Sequence, residues 1–502
     1  MTQSPESRGG VDFPGAGSGR SSTASGRAVI AAATRQVDTA ASTYAAAETN
    51  WRKAYTDHFR TLTRLEANQH AQRIAQTGLA FVHDHFVFTR GHDSMPLDVA
   101  VDLPHASGLE LHTAQVRGRG AATSVGLSVP YRGRRLSGTA LSNQLDRWAD
   151  DGTVEPSFTA ALNAVQDNPD WLDLSDLTVV VLGAGAELAP LLSLLRWGAR
   201  VVAVDRPRPD LWARLIATAR ESPGTLVFPL RIDRSQAGDD ASLAANAGAD
   251  LVTELPEVAA WLSTFDTPFT LASYVYADGA EHVRVSVAVD ALTRRLLATR
   301  QDIALAFLAT PTDCYAVPAE VVEFAHERFK QRSGWSVAAH SLSAGRTFAE
   351  HFPSLSANSD GDRFGICDAL VEQQGPNYAL AKRIQRWRAT SARLTGTLVS
   401  TTVAPATRTR SVMRNRLLAA AYAGAPRFGL EVFNPSTSNT VMAAMLVHDL
   451  RCSTSSAQPA VPLAEAYRLF VDGAAHGGMW RTGYAPRSVL GAAVLLGMFS
   501  RS

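Results

Sequence analysis

The segment between residues 177 and 205 constrains the fold more than any other part of this 502-residue sequence. It opens with the apolar run LTVVVL, and we place a β-strand at Thr178–Leu182. β-Branched side chains pack well on a pleated surface, and a run without polar residues is typical of a strand buried on both faces. GAGAELAPLLSLLRWG then predicts a turn followed by an apolar helix, and ARVVAVD predicts a second buried strand.

The same alternation continues further along the chain. RPDLWARLIATAR predicts an amphipathic helix, GTLVFPLRID a third strand, and helix and strand patterns alternate as far as LVSTTVAP. Strands that alternate with helices favour parallel pairing, because each crossover helix packs back onto the sheet. The sequence therefore predicts an α/β protein with a doubly wound parallel sheet of the Rossmann type, over residues 171–412.

The flanking regions have different patterns. Residues 1–27 are rich in Ser, Gly, Thr and Arg, which predicts a disordered tail. Residues 28–170 predict helices up to about Phe81 and then a small β region, and residues 413–502 predict a mainly helical C-terminal region. The alanine-rich N-terminal helices are also a candidate surface for a homo-oligomer.

Composition narrows the classes of partner and compartment. The net charge is +1, which does not favour nucleic acid or an anionic membrane as a partner. No run of about 18 apolar residues suggests a membrane span. Cys314, Cys367 and Cys452 form no CxxC pair, and reduced thiols in a cytoplasmic protein are the simplest interpretation.

The turn after the first strand is the main candidate for ligand binding. Gly183 permits a tight turn and Gly185 lets a phosphate approach the backbone, while the following helix would offer free N–H groups. Asp205 ends the second strand, where an acidic side chain binds a ribose diol. Arg206 would instead face a 2′-phosphate, so NAD and NADP are both candidate cofactors. The third glycine of the GxGxxG pattern is replaced by Leu188, and a turn that no longer holds a dinucleotide is the alternative.

Two stretches resemble the short-chain dehydrogenase/reductase family: VVVLGAGAELAPLLSLLRWGARVVAVDR and GPNYALAKRIQRWR. The second contains the family's YxxxK motif as Tyr378 and Lys382. The resemblance implies that Tyr378 is the acid/base for a carbonyl or alcohol substrate and that Lys382 lowers the pKa of the phenol and binds the nicotinamide ribose. Two departures stand out. Gly365 occupies the position of the family's serine, and 195 residues separate Gly183 from Tyr378, which requires an insertion.

Other polar residues follow predicted strands. Thr310 and Thr312 come after IALAFLA, and Asp278 and His282 come after FTLASYVYA. Ligands in open α/β sheets bind at the carboxyl ends of the strands, so Thr310 and Thr312 are candidate cofactor-binding residues. The alternative is that these side chains only cap turns and helices.

Two histidine motifs have ordinary explanations beside functional ones. His83, His85 and His92 include an HxH pair, but no cysteine or carboxylate at a familiar spacing supports a metal site, and we expect none. The motif HGGMWR holds His476 and Arg481 and predicts either a flexible lid with an anion-binding arginine or a simple turn.

Three functional hypotheses follow. The first is an NAD(P)-dependent oxidoreductase that acts on a small carbonyl or alcohol substrate. The second is an S-adenosylmethionine-dependent methyltransferase, for which we expect an antiparallel strand near the end of the sheet. The third is a non-catalytic Rossmann scaffold or sensor.

Overall fold

The predicted alternation of strands and helices forms the centre of the molecule, which a computed structural model describes at residues 9–15, 19–103, 108–120 and 126–499. The strands are β1 (Gly10–Asp12), β2 (Val87–Arg90), β3 (Asp93–Pro96), β4 (His112–Arg117), β5 (Val129–Tyr131), β6 (Arg134–Leu136), β7 (Thr178–Leu182), β8 (Arg200–Val204), β9 (Thr225–Leu230), β10 (Phe269–Ser273), β11 (Ile303–Ala309), β12 (Cys314–Pro318), β13 (Ser356–Ala357), β14 (Arg363–Asp368) and β15 (Val399–Val403).

The helices surround these strands. They are α1 (Ser22–Thr34), α2 (Thr39–Ala47), α3 (Trp51–Leu65), α4 (Ala71–His85), α5 (Leu97–Val101), α6 (Thr139–Asp150), α7 (Pro156–Asp167), α8 (Leu191–Arg196), α9 (Pro209–Arg220), α10 (Asp240–Asn246), α11 (Leu255–Leu262), α12 (Ala280–Thr299), α13 (Ala319–Lys330), α14 (Gly334–Leu342), α15 (Gly375–Leu394), α16 (Arg410–Arg414), α17 (Arg416–Gly424), α18 (Pro435–Arg451), α19 (Arg468–Val471) and α20 (Pro486–Phe499). Within the described residues, no helix is both long enough and apolar enough to cross a membrane.

The central sheet has seven strands in the order β15-β11-β10-β7-β8-β9-β4. Six of them pair in parallel, and only β4 runs antiparallel, beside β9. The chain moves outward from β7 through β8 to β9, returns to the middle at β10, and then moves outward through β11 to β15. The strand order therefore reverses between β7 and β10. The α/β class, the mainly parallel sheet and the strand at Thr178–Leu182 are confirmed.

Both faces of the sheet are covered by apolar helices. Val180 and Leu182 of β7 belong to the core layer with α12, α15 and the N-terminal helices. Val179 and Val181 belong to the opposite layer with α8, α9 and α18. This division explains why the strand is apolar from Val179 to Leu182, since alternate side chains enter different but equally apolar layers.

The N-terminal helices pack directly on this core. Helices α1, α3 and α4 all contact α15. At Gly78 of α4, a Cβ atom would lie 2.5 Å from the ring of Trp387, so this position must be small for the two helices to approach.

Several predicted boundaries need correction. The expected tail over residues 1–27 includes strand β1, which pairs with β2, and the start of α1 at Ser22. The small β region predicted after Phe81 includes a stretch, Leu97–Val101, that is helical. LELHTAQV supplies β4, which extends the central sheet by pairing His112 with Leu230. Residues after β11 also form a separate small sheet in the order β12-β14-β13.

Candidate functional site at the carboxyl edge of the sheet

Two loops meet where the strand order reverses. Ser273, the last residue of β10, is in register with Leu182 of β7, and the Tyr274 amide donates to the Leu182 carbonyl at 2.9 Å. Gly183 follows with a φ of +80°, and a Cβ atom there would lie 3.0 Å from the Tyr274 carbonyl. Glycine is therefore needed both for the backbone angle and for the close approach of the two loops. Open α/β sheets bind ligands in the crevice at such a reversal.

The amides of the glycine turn are taken by the protein itself. Gly183 N–H donates to the Val204 carbonyl at 2.9 Å, and Gly185 N–H donates to Oδ2 of Asp205 at 2.8 Å. The other carboxylate oxygen accepts from the Arg206 amide at 2.8 Å, while the Arg206 residue is exposed. The Gly185 amide therefore faces Asp205 instead of an open phosphate site. Asp205 is held in place, and each of its oxygens keeps a lone pair for a further donor.

The helix after the turn begins later than predicted. Helix α8 starts at Leu191 and has only six residues, and turns fill the stretch before it. In that stretch Glu187 accepts from the Arg410 amide at 2.6 Å and from its guanidinium at 2.8 Å. Leu188 packs against the core layer that contains α8. The glycine turn does not lie at a helix end, so the predicted contribution of a helix dipole to anion binding is wrong here.

Tyr378 lies in the first turn of α15 and faces the carboxyl ends of β10 and β11. Its ring centroid is 5.3 Å from that of His282 and 6.4 Å from that of Tyr276. Burial raises the pKa of the Tyr378 phenol, and the neighbouring Thr310 side chain opposes part of that increase. The structure thus brings together Tyr378 and Thr310, two residues that the sequence analysis treated separately.

Lys382 shares the helix with Tyr378 but is directed elsewhere. Its Nζ donates to the Leu308 carbonyl at 3.2 Å and to the Gln385 side chain at 3.1 Å. Burial lowers the pKa of Lys382 to about 8, and the charge of Asp313 opposes this change. The main charges that act on the pKa of Tyr378 are those of other tyrosines and Asp313. The arrangement therefore differs from the expected one, in which the ammonium lowers the pKa of the phenol.

An insertion explains why the partner of Tyr378 was missed in the sequence. Thr310 and Thr312 follow β11, and their hydroxyl oxygens are 3.0 Å apart. The elements from β12 to α14 separate these threonines from α15 along the chain but not in space. Gly365, at the position expected for a serine, lies instead in β14 of the small sheet. The position of Thr310 and Thr312 at the end of a buried strand was what indicated a site. Their separation from Tyr378 along the chain gave no such indication.

Beside Tyr378 lies a group whose environment the sequence did not predict. The His282 residue is 0% exposed, and neither imidazole nitrogen has a hydrogen-bond partner among the described residues. The buried Ser273 hydroxyl also has no partner within the described part of the chain. Both groups lie at the same edge as Tyr378. This half of the edge therefore holds buried polar groups that lack hydrogen-bond partners among the described residues.

Other buried histidines are bound within the protein. His476 Nε2 lies 2.9 Å from Glu155, and the Arg481 guanidinium donates twice to the same carboxylate, at 2.8 and 2.7 Å. Arg481 is therefore held by Glu155, and the hypothesis of an anion-binding lid is wrong for this motif. His83 Nε2 lies 2.7 Å from the Asp290 carboxylate. Across the described residues, no three His, Cys, Asp or Glu side chains are grouped to hold a metal ion.

Comparisons with known proteins find no similar protein. No family model matches the chain, and neither the curated proteins nor the solved structures include a match. The resemblance to the short-chain dehydrogenases therefore depends on the motifs and on the position of their residues in the fold.

Proposed function

We propose that the chain is a Rossmann-type NAD(P)-dependent oxidoreductase that acts on an uncharged carbonyl or alcohol substrate. The observation that supports it most is the position of Tyr378 and Thr310. The order β9-β8-β7-β10-β11-β15 corresponds to the strand order 3-2-1-4-5-6 of dinucleotide-binding folds. In that numbering, Thr310 follows the fifth strand and Tyr378 lies on the helix before the sixth, next to the reversal of strand order.

The chemistry would take place between these two hydroxyl groups. A substrate oxygen that lies between the Thr310 hydroxyl and the Tyr378 phenol would accept a hydrogen bond from each. During carbonyl reduction the phenol gives its proton to this oxygen, and during alcohol oxidation the phenolate takes it back. Burial raises the pKa of Tyr378, so at neutral pH the phenol is in its protonated form, which is the form that carbonyl reduction requires. A nicotinamide, when bound, supplies or accepts the hydride.

The residues at the glycine turn fit one part of the cofactor better than another. Asp205 is fixed by two backbone amides and can still accept from a ribose diol. The Gly185 amide fits a pyrophosphate poorly, because Asp205 already accepts its hydrogen bond. Asp205 is thus the residue through which this turn would bind a nucleoside.

Calorimetric titration tests the proposal directly. We expect NADH or NADPH to bind, and Asp205→Ala to weaken binding by about tenfold or more, because a charge-assisted hydrogen bond is lost. Asp210→Ala is the matched control, since Asp210 is an exposed residue on α9 that pairs with Arg214. If none of NAD⁺, NADH, NADP⁺ and NADPH binds, the proposal is contradicted.

An S-adenosylmethionine-dependent methyltransferase is a second candidate, favoured by one specific feature. S-adenosylmethionine has a ribose but no phosphate, which suits a turn that presents Asp205 and no open Gly185 amide. The antiparallel strand β4 at the end of the sheet also matches the strand expected for this class, and a dehydrogenase sheet is expected to be entirely parallel. Binding of S-adenosylmethionine without any dinucleotide would select this candidate, and binding of neither would favour a non-catalytic scaffold or sensor.

A further inference from the structure

His282 is the buried polar group that the proposed chemistry leaves without a role. Among the described residues neither nitrogen has a partner of good hydrogen-bond geometry, although a contact with the Val275 backbone opposes part of the fall in its pKa. Buried polar groups in native proteins are nearly always hydrogen-bonded, because an unpaired donor or acceptor has lost its contact with water. An imidazole in this state destabilises the fold unless something else binds it.

The side chains around His282 line a candidate pocket that is closed in this structure. The Tyr276 and Tyr378 ring centroids each lie 5.3 Å from the imidazole centroid. Phe269 and Leu271 of β10 face the core layer that contains α12, and alternation along the strand places Ser273 on the same face. Two phenol rings, one imidazole and one hydroxyl therefore meet at the end of β10 and the start of α12.

The charge state of the pocket indicates the class of ligand. Burial and the nearby charge of Lys382 lower the pKa of His282 to about 3, so its ring is neutral at physiological pH. A neutral imidazole has one N–H donor and one acceptor nitrogen. It therefore suits a hydroxyl or carbonyl oxygen. A carboxylate would find no countercharge on this ring, and the nearby Lys382 ammonium already donates to the Leu308 carbonyl and the Gln385 side chain.

We infer that His282 and Ser273 bind a second, uncharged oxygen of the substrate whose reacting oxygen lies at Tyr378 and Thr310. The substrate class is then an uncharged diol or hydroxyketone. The assignment of the reacting oxygen rests on the proposed function, but the pocket around His282 does not.

A ligand would enter past Tyr276. This residue is 52% exposed, and its hydroxyl donates to Asp278 at 3.0 Å in the loop between β10 and α12. Because the imidazole is fully covered, the Tyr276 ring must move aside for a ligand to reach it.

The first test needs no ligand or cofactor. We expect His282→Leu to raise the thermal unfolding midpoint of the protein by about 2–4 °C, because an unpaired buried group is removed. His83→Leu is the matched control and should lower the midpoint, since it leaves the Asp290 carboxylate without its imidazole partner. A decrease for His282→Leu as large as that for His83→Leu would overturn the inference.

The second test follows the imidazole in the unaltered protein. Histidine-selective ¹⁵N labelling gives a resonance for His282, identified by its loss in His282→Leu. We expect 1,2-cyclohexanediol and 2-hydroxycyclohexanone to shift this resonance and cyclohexanecarboxylate to leave it in place. No shift with either neutral probe, or an equal shift with the carboxylate, would overturn the inference. Since no nucleotide is present, the result is independent of the calorimetric test of cofactor binding.

Discussion

The two halves of the carboxyl edge differ in how their polar groups are satisfied. After β7 and β8, the Gly185 amide and the Asp205 carboxylate bind each other. After β10, the Ser273 hydroxyl and the His282 imidazole have no partner among the described residues. The first half has the clearer sequence motif, but the buried groups without hydrogen-bond partners lie in the second half. A glycine pattern thus marks how a turn is built, whereas an unpaired buried group marks a candidate position for a ligand.

The bound histidine clusters give the strongest test of this contrast. In Glu155→Ala, His476 and Arg481 would remain buried without their shared carboxylate. We expect a loss of about 3–5 kcal/mol in the free energy of unfolding, as for other broken buried ion pairs. Urea denaturation measures the loss.

The control for this prediction is an exposed ion pair. Glu327→Ala removes the partner of Lys330 on the surface of α13 and should cost less than about 1 kcal/mol. Similar losses in the two variants would show that the Glu155 cluster is not structural, and the contrast with His282 would then disappear.

The closed glycine turn makes a second, smaller prediction. A Cβ atom at Gly185 would lie 2.5 Å from Leu211 and 3.1 Å from the Asp205 carboxylate. We expect Gly185→Ala to destabilise the fold by about 1–3 kcal/mol through overpacking. Gly491→Ala in α20 meets no atom within 4 Å and should stabilise by about 0.5–1 kcal/mol, because alanine favours helix. An unchanged Gly185→Ala variant in the same urea assay would mean that the turn is open.

The fold was largely predictable because the signal was local. The buried strands appear as continuous apolar runs, and β7 has the predicted bounds. The pairing of β4 was not predictable, since His112 lies opposite Leu230 and no local pattern specifies so distant a partner. Strand β4 therefore seemed to belong to a small separate sheet.

The candidate site was predictable only in its parts. Residue types and strand ends identified Asp205, Thr310 and Tyr378, and His282 was placed at the same edge. The sequence could not indicate that Gly185 would donate to Asp205, because a glycine motif does not specify the acceptor of its amide. It also could not reveal the lack of partners around His282, which depends on packing from several elements.

The acid dependence of stability separates His282 from the bound clusters. The pKa of His282 is lowered by burial to about 3 from its ordinary value of 6.5, so the unfolded state binds this proton more readily than the folded state. Stability therefore falls as pH decreases from 6.5 toward 3. We expect the free energy of unfolding of His282→Leu to depend less on pH, by up to about 1.4 kcal/mol per pH unit, which corresponds to one proton. Urea unfolding at several pH values measures this dependence. If the imidazole were hydrogen-bonded and charged in the folded protein, the slope of stability against pH would be the same in His282→Leu and in the unaltered protein.

A further effect is expected at alkaline pH, from Lys382. Burial lowers the pKa of its ammonium to about 8 from the ordinary value of 10.5, so between these values the unfolded state holds the proton more strongly. Stability should rise as pH increases from about 8 to 10.5, and Lys382→Met should flatten this rise. Lys330→Met should change the alkaline pH dependence of stability in the opposite direction, because the bond to Glu327 raises the pKa of the Lys330 ammonium. If Lys382→Met kept the alkaline rise, the ammonium would have to be solvated, and the pocket beside His282 would be open to water instead of closed.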